Sequence, residues 1–89
     1  MITEKEKKII LRHAKKYNVS TVILFGSSIG EDTKYNDIDV GIKGIKPRLF
    51  FKFYADLFKS LSKPVDLIDL SGKSLFNDLV KETGIKIYG

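Results

Sequence analysis

The chain contains no cysteine, a single histidine, His13, and only two prolines. Without cysteine there is no disulfide framework, no thiolate nucleophile and no thiolate zinc site, so sulfur redox chemistry is excluded and a cytosolic setting fits. No apolar run approaches the roughly 20 residues needed to span a bilayer. The opening residues, Met1 to Lys8, lack the apolar core and small-residue cleavage site of a signal peptide, so the expected location is cytoplasmic, with no membrane partner. Repeats, low-complexity segments and internal linkers are missing as well. At 89 residues there is room for one core, and residues 1–89 read as a single domain.

What is present describes a folding chain: 43% hydrophobic and 30% charged residues, rich in Ile, Leu and Phe. A formal charge of +5 suits nucleic acid, anionic nucleotides or an acidic partner. Read along the chain, the lysines are scattered over several helix faces, so direct nucleic-acid binding is not expected. His13 lies beside the apolar stripe of the first helix and reads as a partly buried surface residue.

Thr3-Glu4-Lys5-Glu6 has capping-box spacing, and Ile10, Ala14 and Tyr17 follow at helical intervals, predicting a helix over 4–17 that stops at Asn18. Thr21 to Phe25 reads as a buried strand ending in the turn Gly26-Ser27-Ser28, after which a polar segment runs to Asn36. Asp37 to Ile42 alternates, with Ile38, Val40 and Ile42 on one face and Asp37, Asp39 and Gly41 on the other. The connection is too short for a crossover helix, so these two strands are expected to be antiparallel within a mixed sheet. Pro47 opens a helix whose Phe50, Phe53, Tyr54, Leu57, Phe58 and Leu61 share one stripe. Val65 to Leu70 reads as a strand, and Ser71 as the cap of a last helix bearing Leu75, Phe76, Leu79 and Val80. Gly84 suits its C-terminal end, and Ile85 to Tyr88 is either a short edge strand or extended coil. The expected fold class is α/β (α+β), a small mixed β-sheet packed with helices.

Three features carry chemistry: the Gly-Ser turn, the Asp37-Ile38-Asp39 pair, and Asp66 within the apolar Val65-Asp66-Leu67-Ile68. Strand residues i and i+2 share a face, so Asp37 and Asp39 can aim at one point, and a neighbouring strand can bring Asp66 beside them. A carboxylate buried in an apolar strand costs several kcal/mol unless something pairs with it. Three such groups together repel one another unless a divalent cation intervenes. Oxygen donors without His or Cys favour Mg2+ or Mn2+ over zinc. Gly26 lets the backbone approach a phosphate, and the N–H groups and hydroxyls of Ser27 and Ser28 can hold triphosphate oxygens.

Phe25-Gly26-Ser27, nine residues, then Asp37-Ile38-Asp39-Val40 resembles the signature of the DNA polymerase β-like nucleotidyltransferase superfamily. Val65-Asp66-Leu67-Ile68 resembles its third-carboxylate strand. The ending Gly84-Ile85-Lys86-Ile87-Tyr88 is similar to the tail of the minimal nucleotidyltransferase (MNT) branch. The resemblance implies two Mg2+ ions, both bound by Asp37 and Asp39, with Asp66 helping to bind the one that activates the attacking hydroxyl. It implies ATP as donor, AMP as the group moved, and an antitoxin role in a hetero-oligomer with a helical HEPN-type ribonuclease, modified on a tyrosine. Many MNT domains carry an Arg-Ala-Arg-Gly-like segment after Gly-Ser, whereas Ser28-Ile29-Gly30-Glu31 stands here, apparently one residue shorter. Lys34 or Lys43 is then the candidate to replace the lost arginines, and Phe51 is a candidate partner contact. The shortened segment leaves open an alternative, in which the same fold neutralises its partner by contact with weak or absent transfer. A small basic nucleic-acid binder is the other alternative, opposed by the clustered carboxylates.

Overall fold

The computed structural model describes residues 1–30 and 36–89. Helix α1 spans Glu4–Lys16 and begins with the expected capping box: Thr3 accepts from the Glu6 N–H while the Glu6 carboxylate accepts from the Thr3 N–H. It stops where Asn18 enters the left-handed region at φ 57°. Strand β1 (Thr21–Leu24) leads into a 3₁₀ turn over Gly26–Ile29, and strand β2 (Ile38–Lys43) returns antiparallel to β1, pairing Leu24 with Val40 and Thr21 with Lys43. Helix α2 (Phe50–Ser60) follows a 3₁₀ turn that starts at Pro47, strand β3 (Val65–Asp69) lies parallel to β2, and helix α3 (Leu75–Thr83) precedes strand β4 (Ile85–Tyr88). The sheet has four strands in the order β3-β2-β1-β4, so β4 is an edge strand, antiparallel to β1, rather than coil. This is the mixed sheet and helix fold expected.

Alternation along the strands divides the sheet into two unlike faces. Val22, Leu24, Ile38, Val40, Ile42, Val65 and Leu67 point toward α1 and α2, meeting Ile10, Ala14, Phe53 and Leu57 in the main core. Phe53, Ile10, Leu57, Ile38 and Ile42 are wholly excluded from water, each contributing roughly 1.5–3 kcal/mol by burial. On the opposite face, among the described residues, a small cluster forms in which Val80 of α3 covers Ile23 and Leu70, with Phe25 and Ile68 at its margin. Asp39, half-buried, and Asp66, exposed, lie on the same face.

Several details correct the sequence reading. Ser74, not Ser71, caps α3, its hydroxyl accepting from the Asn77 N–H, because Ser71 and Gly72 belong to a turn in which Asp69 accepts from the Ser71 N–H. Gly84 does follow α3, but its φ of −76° is ordinary. A glycine fits there because a Cβ would come within 2.4 Å of the Ile23 side chain and 2.7 Å of the Leu24 carbonyl oxygen, so its absence lets the chain fold down onto β1. The apolar stripe of α3 is mostly uncovered, with Leu75 89% and Phe76 52% exposed and only Val80 buried. His13 is buried rather than partly so: Nδ1 lies 2.8 Å from the Ile9 carbonyl and Nε2 3.4 Å from the Ser60 hydroxyl. Among the described residues, no helix is long and apolar enough to cross a membrane.

Candidate active site

The site is built where β1 ends and β2 begins. The Phe25 N–H donates to the Asp39 carbonyl at 3.2 Å, carrying the β1–β2 ladder one step past Leu24, and the backbone then turns sharply at Gly26. Gly26 sits at φ +61°, which non-glycine side chains rarely adopt, and a Cβ here would fall 2.5 Å from Asp39 Oδ2. The glycine thus meets two requirements at once, a left-handed backbone and room for a carboxylate directly against it.

Ser27 and Ser28 play different parts. The Ser27 backbone N–H and hydroxyl both favour the Asp39 carboxylate, the hydroxyl at 3.5 Å from Oδ2 and 3.4 Å from the Asp37 carbonyl. Ser28 is fully buried, its N–H donates to the Phe25 carbonyl, and its Oγ accepts from the Asp39 N–H at 2.6 Å. The first bond closes the turn and the second ties it to β2, which makes Ser28 a positioning residue for Asp39. The sequence signal for this was the second hydroxyl directly after Gly-Ser, read instead as a further phosphate contact.

The register brings two of the three aspartates face to face, since Asp39 on β2 pairs with Asp66 on β3. Asp37 precedes β2 and is exposed. Asp66 is exposed too, contrary to the burial argued from its apolar neighbours: β3 is an edge strand, and α3 covers the face only around Ile23 and Leu70. The carboxyl of Asp39 is pushed above its ordinary pKa of 3.8, first by burial, then by the charge of Asp66 and, less, of Asp37, against the Ser27 hydrogen bonds that hold it down. Among the described residues, no three His, Cys, Asp or Glu side chains are gathered closely enough to hold a metal ion as they stand.

The donor set nonetheless suits a hard divalent cation. Its members are carboxylate oxygens with no nitrogen or sulfur beside them, they repel one another, and Gly26 leaves space against Asp39. Lys34 lies outside the described residues. Lys43 shares the face of Asp39 but stands four residues further along β2, roughly 13 Å at the usual strand rise. Phe51 is exposed on α2, on the side of the sheet opposite these aspartates. Phe76, which the sequence placed only on a helix stripe, meets Phe25 edge-on with ring centroids 5.9 Å apart and so borders the turn.

The Gly-Ser turn after β1, the Asp37-Ile38-Asp39 segment and Asp66 in register beside it are the elements through which the sequence resembles the nucleotidyltransferases. The sequence model of the polymerase beta nucleotidyltransferase family matches residues 7–89, and the chain belongs to that family. Among solved structures it is similar to a toxin-antitoxin MntA-HepT complex, with TM-score 0.75 and 19% identity over 98% of this chain and 73% of that one. It is similar as well to a mutant of that complex, at TM-score 0.75 and 20% identity over 93% and 72% of the two chains. A toxin-antitoxin structure with AMP-PNP gives TM-score 0.76 and 23% identity over 93% and 73%. At these identities the likeness establishes the fold. No curated protein matches the sequence significantly.

Proposed function

We propose that residues 1–89 form one minimal nucleotidyltransferase domain that acts in the cytoplasm as an antitoxin, moving AMP from ATP to a hydroxyl of a HEPN-type toxin. The observation that carries the reading is the register pair of Asp39 and Asp66, with Asp39 held by Ser27 against a glycine that has no room for a Cβ. The structures similar in fold are of toxin-antitoxin pairs, one with AMP-PNP, which supports both the nucleotide and the partner.

In this reading Asp37, Asp39 and Asp66 hold two Mg2+ ions, with Mn2+ able to substitute. When bound, these ions neutralise phosphate charge and polarise the attacking and leaving oxygens. The Gly26–Ser27 backbone and the Ser27 hydroxyl orient the triphosphate, while Ser28 fixes Asp39 by its backbone. Ser27 does a second task, favouring the ionised form of Asp39 against the burial and repulsion that oppose it. Asp66 is exposed, so a macromolecular acceptor can reach it, and we assign its carboxylate the proton released as the acceptor oxygen bonds to the α-phosphorus and pyrophosphate departs. The added phosphate places negative charge where a ribonuclease must receive RNA.

Neutralisation by contact, with little transfer, is the second reading. It is favoured by the spacing of the carboxylates, which are not gathered tightly among the described residues. Thermal melting with ATP and Mg2+ separates the two, because a ligand at 100 times its Kd adds about 2.7 kcal/mol to stability. ATP and Mg2+ together raise Tm in the nucleotidyltransferase reading, more than either does alone, and leave it unmoved in the contact reading.

A further inference from the structure

Helix α1 gathers charge that looks dispersed along the chain. Lys5, Lys8, Arg12 and Lys16 recur at intervals of three or four residues, are all exposed, and advance along one side of α1 by roughly 16 Å at the helical rise. Beside them run three adjoining concavities: one of about 320 Å³ between α1 and the end of α2, a shallow one of about 460 Å³ on the surface of α1 itself, lined by Lys5, Lys8, Ile9 and Arg12, and one of about 170 Å³ again between α1 and the end of α2. Lys5 and Ile9 line the first two, Arg12 the second and third, and Ser60 the first and third, so the three form one trough.

Of the nearby carboxylates among the described residues, Glu4 stands exposed in the first turn of α1, one turn from Lys8, whereas two others are engaged. Glu6 closes the α1 capping box, and Asp56 accepts from the Tyr17 hydroxyl and lies 3.7 Å from Lys16. That ion pair is exposed at the lysine and easily exchanged. Lys5, Lys8 and Arg12 form no ion pair among the described residues. The hydroxyls of Thr3, Ser60 and Ser62 line the same trough. For a chain with a sequence pI of about 9.5, cations clustered along one helix are the electrostatic footprint of a polyanion.

We propose that this trough binds a single strand of nucleic acid through its phosphates. Among the described residues no aromatic side chain lines it, so recognition there is by backbone charge without sequence preference. A peptide is the poorer occupant, because Ile9 and Leu61 are the apolar lining and protein interfaces depend on larger desolvated anchors. The trough lies across the sheet from Asp39, and both sites can be filled together. The proposal does not depend on nucleotidyl transfer.

The test is fluorescence anisotropy with a labelled oligouridylate, in EDTA so that the aspartates recruit no metal, at 50 and 200 mM salt. Four phosphate contacts give a log–log salt slope of about −2.8, hence roughly 50-fold weaker binding across that range. The Lys8→Ala, Arg12→Ala double variant leaves two contacts, a slope of about −1.4 and roughly a sevenfold change. A Lys81→Ala, Lys86→Ala variant removes equal charge from the far side of the sheet and should keep the wild-type slope. Melting curves verify that each variant is folded. The proposal is overturned if the oligonucleotide does not bind at 50 mM salt, if both double variants lose affinity alike, or if polyglutamate competes as well as unlabelled oligonucleotide.

Discussion

Replacing Gly26 by alanine tests the geometry of the turn with one methyl group. The left-handed backbone at φ +61° costs an L-residue about 1–2 kcal/mol. The new Cβ would also stand 2.5 Å from Asp39 Oδ2 and 3.2 Å from its Cγ, so the carboxyl must retreat by about 0.9 Å to reach ordinary contact. That movement draws Asp39 away from the Ser27 hydroxyl, already at 3.5 Å. Stability should fall by about 1–2 kcal/mol, and since each kcal/mol is worth roughly 4–8 °C in a domain of this size, Tm should fall visibly. Nucleotide binding should suffer more than stability does. Gly72→Ala is the control, because nothing lies within 4 Å of the added carbon and the backbone there is not left-handed. Melting with and without ATP and Mg2+ reads both effects. If Gly26→Ala melts with Gly72→Ala and keeps its nucleotide response, the close approach of turn and carboxylate is not what organises the site.

Ser28→Ala removes the acceptor of the Asp39 N–H, and leaving that group without its buried partner should cost about 1–3 kcal/mol with impaired transfer; urea melts and a transfer assay read these. Phe53→Ala, at a wholly buried position, should cost about 3–5 kcal/mol, leaving little folded protein by circular dichroism. Asp39 titrates with a pKa raised in the fold, so the folded state binds more protons just above pH 3.8, and stability is lost as pH rises from there through the raised value. Asp39→Asn should erase that slope and raise Tm of the metal-free domain at neutral pH, while ATP and Mg2+ no longer shift it. In wild type the nucleotide response should weaken as pH falls toward the Asp39 pKa, a trend an Asp39→Asn melt series would lack.

Much of this was legible in the residues because local rules and tertiary contacts agree. The capping box, the stop at Asn18, the alternation of Ile38, Val40 and Ile42, and the short link between β1 and β2 each fix one feature of the fold. Spacing from Gly26-Ser27 singled out Asp39 as a candidate, and the register sets Asp66 opposite it. What failed depends on neighbours that are distant in sequence. The exposure of Asp66 follows from how little of the second face α3 covers, which no run of apolar residues reveals. Helical periodicity gave α3 an apolar stripe but not the fact that Leu75 and Phe76 stay uncovered. The contact of Ser28 with the Asp39 N–H was not legible, because one hydroxyl looks like another until the strand beside it is placed.

The central claim is transfer of a nucleotide, and mass tests it most directly. The protein is mixed with ATP, Mg2+ and the product of the adjacent gene, and intact masses are read for both chains. One added AMP is expected on the partner, with loss of its ribonuclease activity in step, and neither change with the Asp37→Asn, Asp39→Asn double variant. Inhibition of the partner with no change in mass, retained in that double variant, would contradict it.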